Sequence, residues 1–204
     1  MRERSHGSHL IIAFVRLILA SRSPRRAELL RAAGFEFEVV AADVDESIRA
    51  GESPQIYVRR LAAEKSQTAQ RRGIAPDEAI ILGADTAVVV DDRILGKPRD
   101  DDDAAAMLRR LSGRQHDVMT GVSLRRNQHE VGRVETTTVF FSTLTDADIA
   151  WYVASGEGRD KAGAYAIQGL AARFIPRIDG SYANVVGLPV TTVAELMDEI
   201  ERLG

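Results

Sequence analysis

Leu17-Ile18-Leu19-Ala20-Ser21-Arg22-Ser23-Pro24-Arg25-Arg26 joins a short apolar run to a Ser-Pro helix start, and this junction points to an α/β fold. Four apolar residues in a row read as a strand that ends where the helix begins. Pro24 suits the first position of a helix, because its missing N–H would have no partner there, and Ser23 is placed to cap the free amides. A helix start carries partial positive charge, to which Arg22, Arg25 and Arg26 add full charges. Guanidinium groups also match phosphate oxygens with paired hydrogen bonds. The turn therefore reads as a phosphate cradle; the plainer reading is a solvated, charged helix start.

Outward from this junction, helix and strand signals alternate, as α/β folds require. A helix over 24–33 carries Leu29, Leu30 and Ala33 on one side and stops at Gly34, and 36–40 alternates like a half-buried strand. A second Ser-Pro start at Ser53-Pro54 opens a helix that reaches Arg72 and stops at Gly73. Residues 79–83 form a short apolar strand, and 88–90 with 93–95 read as a hairpin across Asp91-Asp92. A helix over 101–111 closes at Ser112-Gly113; two long β stretches, 116–125 and 131–142, join around Asn127. Thr145 caps a helix through Val153, and a last helix covers 191–203. The expectation is a mixed sheet flanked by helices, with no linker dividing it.

With 45% hydrophobic and 28% charged residues, the 204-residue chain suits one soluble domain with an ample core. A net charge of −3 gives no global basic field for nucleic acid, and 5% aromatic residues offer few stacking platforms for single strands. Anions must be held locally. The lack of cysteine excludes disulfides, thiolate nucleophiles and zinc–thiolate sites, and fits a cytoplasmic location. Residues 10–20 faintly resemble a signal sequence, but Arg16 interrupts them, no small-x-small cleavage pattern precedes Ser21, and the run is too short for a bilayer. Neither a cleaved signal nor a membrane anchor is expected. Residues 1–15 read as a disordered N-terminal extension and 16–204 as the folded domain.

Gly83-Ala84-Asp85-Thr86 comes off the apolar strand, and in open α/β sheets ligands sit beyond the carboxyl ends of strands. Asp85 could bind a divalent cation or orient water, or be only a turn-forming aspartate. Asp43-Val44-Asp45-Glu46 supplies further carboxylates, and Glu46 with Asp85 would suffice for Mg²⁺, which combines few carboxylates with substrate phosphates. Lys65, in mid-helix, reads as part of a surface Glu/Lys face; Lys97, in Gly96-Lys97-Pro98, reads as a ligand contact, and Lys161 lies between the two. The amide of Gln168 pairs a donor with an acceptor, matching the imide edge of uracil or thymine, though a loop glutamine alone says little. The histidines build no site, and neither a Gly-x-Ser-x-Gly elbow, a P-loop nor a Gly-x-Gly-x-x-Gly fingerprint is present.

Taken in order, the blocks resemble the Maf (septum formation inhibitor) family of nucleoside triphosphate pyrophosphatases. They are 19–26, Asp45-Glu46, 60–65, 82–86, Gly96-Lys97-Pro98, Leu111-Ser112-Gly113 and Thr120-Gly121. Asp160-Lys161-Ala162-Gly163-Ala164-Tyr165, Gln168-Gly169, Gly180-Ser181-Tyr182 and Val186-Gly187-Leu188-Pro189 continue the series. The resemblance implies hydrolysis between the α- and β-phosphates with a divalent cation, Mg²⁺ or Mn²⁺. It implies an inosine-triphosphate-pyrophosphatase-like fold: a long mixed sheet flanked by helices, with two lobes and a central cleft. It assigns the catalytic acid/base to Asp85, with Glu46 as its partner at the metal, and substrate choice to Arg25, Thr86 and Gln168. Ser21, Arg26, Lys65, Lys97 and Lys161 fall on the phosphate side of the cleft.

Ser-Pro-Arg-Arg, Gly-Ala-Asp-Thr and Gly-Ala-Tyr-x-Ile-Gln-Gly resemble the branch acting on dTTP and UTP. The branch acting on 7-methyl-GTP instead carries an aromatic residue at position 25, which would stack on a cationic purine. The expected activity is hydrolysis of dTTP and UTP, by a chain that binds neither nucleic acid nor membrane and for which a homodimer would be ordinary. The alternative is a nucleotide-sensing regulator of cell division with little turnover. Family chains start just before the first strand, so residues 1–15 are either a real extension or the product of a start site assigned too far upstream.

Overall fold

In the computed structural model, which describes residues 16–73 and 78–203, seven strands form one sheet. β1 (Leu17–Ala20) runs parallel to β2 (Phe37–Val40) on one side and to β3 (Ile80–Val90) on the other. The connections are α1 (Pro24–Ala32) and α2 (Pro54–Arg71). β3 then pairs antiparallel with β5 (Gln115–Arg126), β5 with β6 (His129–Phe140), and β6 with β7 (Arg177–Asp179). β4 (Arg93–Leu95) folds back on the end of β3 across Asp91 and Asp92, both at positive φ. The remaining helices are α3 (Asp101–Leu111), α4 (Asp146–Ala154), α5 (Tyr182–Val186) and α6 (Val190–Glu201), with 3-10 turns at Ala162–Ala164 and Leu170–Phe174. The expected long mixed sheet flanked by helices is present.

The separate strands read at 79–83 and 88–90 are one continuous strand, so Asp85 lies within β3 rather than beyond its end. The reason is β5, whose register runs unbroken from Ile81↔Arg125 to Val89↔Asp117 and satisfies that edge of the backbone. On the opposite edge β1 pairs only as far as Leu82, and β4 begins opposite Val88. Residues 83–87 face a notch between a parallel and an antiparallel neighbour. The carboxyl end that positions Asp85 is that of β1, where the strand order changes, which is where open sheets bind ligands.

Two cores flank this notch. Leu17, Leu19, Leu30, Leu82, Leu196 and Ile200 pack together where α1 and α6 meet the sheet. Leu108, Leu111, Ile149, Tyr152 and Phe174 form the other core around α3 and α4. On one sheet face α2 approaches until backbones touch. A Cβ at Gly83 would stand 2.2 Å from the Ala62 carbonyl oxygen, and one at Gly121 would stand 2.2 Å from that of Val58.

Ser53 caps α2 by accepting from the Ile56 amide at 3.3 Å, and Thr145 with Asp148 forms a capping box on α4. Ser23 occupies the N-cap position of α1, but its side chain caps nothing; its amide donates instead to Ser21 Oγ at 3.2 Å. The buried side of α1 is Arg26, Ala27 and Leu30, and Ala33 is exposed. β7, α5 and the two 3-10 turns, of three to five residues each, went unread in the sequence. The extension over 1–15 lies outside the described residues. No helix among the described residues is long and apolar enough to cross a membrane.

Candidate active site

A cavity of about 630 Å³ opens at the notch. Its lining includes Ser21, Arg25, Arg26, Glu46, Lys65, Asp85, Thr86, Lys97, Lys161 and Gln168, so the fold brings these ten expected site residues to one place, while Asp45 stays outside it and accepts from Ser47. Six basic side chains (Arg22, Arg25, Arg26, Lys65, Lys97, Lys161) face four carboxylates (Asp43, Glu46, Asp85, Asp160), a net surplus of positive charge in an acidic protein. The lining also includes the apolar side chains of Val88, Leu95, Val118, Ala162, Ile167 and Val186.

Lys65 joins two of the carboxylates, and the surface-face reading of it is wrong. It is 8% exposed, and its Nζ donates to Asp85 Oδ1 at 2.6 Å and to Glu46 Oε1 at 2.7 Å. Val58, Leu61, Ala62, Lys65 and Ala69 share the buried side of α2, so the helical period already carried this information. The bare contact at Gly83 and Gly121 brings the helix low enough for the lysine to reach β3.

Glu46 comes from the irregular segment 41–53, which α2 holds down. Tyr57 Oη donates to the Glu46 carbonyl at 3.0 Å, and Arg60 Nη2 donates to that of Ser47 at 3.1 Å. Arg60 also grips Glu52 at 2.5 and 2.8 Å and Glu64 at 3.2 Å. Burial pushes the Glu46 carboxyl up, but the hydrogen bond from Lys65 and the charges of Lys65, Lys97 and Arg26 outweigh it and hold it below its ordinary value. Burial, with the charges of Asp85 and Glu46, pushes the Tyr57 phenol up to about 12. Tyr57, Arg60 and Asp160 were missed in the sequence; Tyr57 stands two four-residue steps before Lys65 on the same face of α2.

Arg26 is 8% exposed and largely committed to the protein. Its guanidinium donates to Gly187 O at 2.8 Å, Ala84 O at 2.8 Å, Ser21 Oγ at 3.2 Å and Thr86 Oγ1 at 3.0 Å. Four of its five N–H groups are thus taken. One of them satisfies Ala84 on the strandless edge of β3, doing what a neighbouring strand would do. The Thr86 hydroxyl likewise lies among Arg26, Thr120 Oγ1 at 3.0 Å and Gly187 O at 3.3 Å.

The other cations are less committed. Arg25 Nη1 stands 3.7 Å from Asp160 Oδ2, and Lys161 pairs with the same carboxylate. The Lys161 hydrogen bond, against an opposing effect of burial, holds the Asp160 carboxyl below its ordinary value. Lys97 makes no ion pair among the described residues, and Gln168 is exposed on the stretch between the two 3-10 turns. His116 takes no part in the cavity: it is buried, with Nε2 2.8 Å from Tyr165 Oη, and burial lowers its pKa to about 4.

A hard divalent cation suits this donor set. Lys65 uses one oxygen each of Glu46 and Asp85, leaving the other of each for a metal that favours few carboxylates plus phosphate oxygens. Among the described residues there is no cluster of three or more His, Cys, Asp or Glu able to hold a metal alone.

Residues 16–200 match the family of Maf-like proteins. The chain is 52% identical over 188 residues to the dTTP/UTP pyrophosphatase of Shewanella oneidensis, covering 90% of this chain and 97% of that protein. The dTTP/UTP pyrophosphatase of Anaeromyxobacter dehalogenans is 50% identical over 186 residues, with 89% and 92% covered. Among solved structures, the Ham1 protein of Staphylococcus aureus is similar with a TM-score of 0.49 at 14% identity, covering 93% of this chain and 100% of that one.

Proposed function

The chain belongs to the family of Maf-like proteins, and from that premise we propose that it hydrolyses dTTP and UTP to the monophosphate and pyrophosphate. One observation carries the reading: the Asp85–Lys65–Glu46 cluster stands in a cavity that is also lined by apolar side chains, Val88, Leu95, Val118 and Ile167 among them. Its volume of about 630 Å³ is that of a small-ligand pocket. A nucleotide needs both kinds of lining, an apolar surface for its flat base and cations for its polyanion.

In this reading the base lies on the wall of Val88, Leu95, Val118 and Ile167, and Gln168 meets its imide edge. Lys97, Lys161 and Arg25 take the phosphate oxygens, since their donors are the least committed. Arg26 and Thr86 shape the pocket from behind rather than by filling it. Water attacks the α-phosphorus, the bond to the bridging oxygen breaks, and pyrophosphate leaves. Asp85 orients that water and takes its proton on its carboxylate. The neighbouring cations neutralise charge growing on the leaving pyrophosphate, the contribution on which phosphoryl transfer chiefly depends. A Mg²⁺ or Mn²⁺ ion held by Glu46 and Asp85 would supply further neutralisation at the triphosphate.

The enzyme would act on free nucleotides in the cytoplasm, as one catalytic domain beginning at residue 16. The test is to incubate the purified chain with dTTP, UTP, CTP and GTP plus Mg²⁺ and to measure pyrophosphate. Release from dTTP and UTP, lost in Asp85→Asn with the far-UV circular dichroism unchanged, is the expected result. Orthophosphate in place of pyrophosphate, or no turnover of dTTP and UTP, refutes the proposal.

A further inference from the structure

Lys65 is the side chain whose placement the reaction scheme leaves unexplained. A lysine meant for phosphate should present its donors to the cavity, yet this one directs two of them at Asp85 Oδ1 and Glu46 Oε1. It is 8% exposed and reaches the cavity lining from α2, whereas Lys97 and Lys161 line the same cavity from loops. Both carboxylates therefore already have a cation, covalently tethered and always present.

We propose that Lys65 is a resident counter-cation that keeps the Glu46–Asp85 pair from accepting a bare divalent ion, so that the pair takes one only together with the triphosphate. The inference rests on the nucleotide-hydrolysing reading above. Two further features support it. The cavity already holds six basic groups against four carboxylates, so a lone dication entering it meets repulsion. The pair also leaves only one oxygen per carboxylate, far short of the octahedral shell that Mg²⁺ demands, and phosphate oxygens would make up part of the difference. A triphosphate reverses the sign of the cavity and brings those ligands at the same moment. Lys65 then has a second use, since it holds Asp85 and Glu46 apart and oriented while no metal is bound.

Mn²⁺ serves as the probe, followed by electron paramagnetic resonance of the free ion and by titration calorimetry. With the wild-type chain and Mn²⁺ alone, no saturable binding is expected at micromolar concentrations; adding α,β-methylene-dTTP should produce one bound Mn²⁺ per chain. Lys65→Gln should tighten binding of Mn²⁺ alone by about tenfold or more, the effect of removing one charge at this range. Lys65→Arg should leave that binding weak. Saturable micromolar binding of Mn²⁺ by the wild-type chain without nucleotide overturns the proposal, and that measurement needs no variant to fold. An unchanged Mn²⁺ affinity in a folded Lys65→Gln overturns it too. Neither outcome touches the pyrophosphatase reading, which is decided by product analysis.

Discussion

Gly83→Ala tests whether the seating of α2 on the sheet governs the chemistry. The added Cβ would stand 2.2 Å from Ala62 O and 2.7 Å from Ser66 N, both backbone atoms that cannot rotate away. A carbon approaches a carbonyl oxygen no closer than about 3.3 Å, so helix and sheet must part by about 1 Å. Lys65 Nζ now lies 2.6 Å from Asp85 Oδ1, and the same displacement would carry it to roughly 3.6 Å, outside hydrogen-bond range. Overpacking of this kind costs about 1–3 kcal/mol. For a chain of this length, at about 2–4 °C per kcal/mol, that lowers the melting temperature by roughly 2–12 °C. Activity should fall further, because misplacing a catalytic group by about 1 Å can cost on the order of 100-fold in rate. The assay is pyrophosphate release from dTTP at saturation, beside a thermal melt of the same preparation. Gly96→Ala, where a Cβ meets open space, controls for the melt and should leave it unchanged. If Gly83→Ala keeps both the wild-type melting temperature and the wild-type kcat, the argument that backbone contact positions Lys65 is wrong.

Stability should fall as pH drops from about 6.5 to about 4, because burial lowers the His116 pKa and the unfolded chain takes up a proton that the folded chain refuses. The stabilisation is complete above 6.5 and amounts to about 3 kcal/mol at about 1.4 kcal/mol per pH unit. Urea midpoints at pH 7.5 and 4.5 measure it, and His116→Gln should flatten the dependence. Arg26→Met strips partners from Ala84 O, Gly187 O, Ser21 Oγ and Thr86 Oγ1, and should cost about 3 kcal/mol by urea denaturation; a purely phosphate-binding Arg26 would raise KM and leave the midpoint in place. Arg60 holds the Glu52 carboxyl down at about 2 from 4.5, so this pair stabilises fully above pH 4.5 and is lost as pH falls toward 2. Arg60→Met should release segment 41–53 to limited proteolysis and raise KM for dTTP about tenfold, a loss of about 1.4 kcal/mol in transition-state binding if kcat holds.

What could be read in the sequence was what local chemistry decides. Pro24, Pro54 and Thr145 mark helix starts because capping and the missing proline N–H act within a few residues. The motif blocks gathered the ten site residues into one pocket although they come from seven separate parts of the chain: the end of β1, α1, segment 41–53, α2, β3, the loop after β4 and the stretch after α4. Misreadings arose where a distant partner decides. Gly83 looks like a strand end until β5 is seen beside it, because a glycine that breaks an isolated strand also permits the close approach of a helix. Lys65 looks solvated because a lysine on a helix usually is, and its two carboxylates lie 19 and 20 residues away. Arg26 belongs to a basic run, yet the groups that claim it include Gly187, 161 residues on. Spacing alone could not have shown how little of it remains for a ligand.

The long strands also limit how the molecule can move. β3, β5 and β6 have 11, 12 and 12 residues, roughly 36–40 Å at about 3.3 Å per residue, and they run beneath both cores. The two halves thus share a common spine, stiffened by an uninterrupted ladder from Ile81 to Val89 and from Gln115 to Arg126. A hinge needs a few residues free to change their backbone angles, and a spine paired along its length offers none at the cleft. Any movement that admits or releases a ligand would therefore fall to the irregular rim, to segment 41–53, the turn around Lys97 and the stretch carrying Asp160 and Gln168. In the proposed reading, the part of the wall that β3 and β5 supply, Val88 and Val118, would be held in place by this ladder while the rim moves.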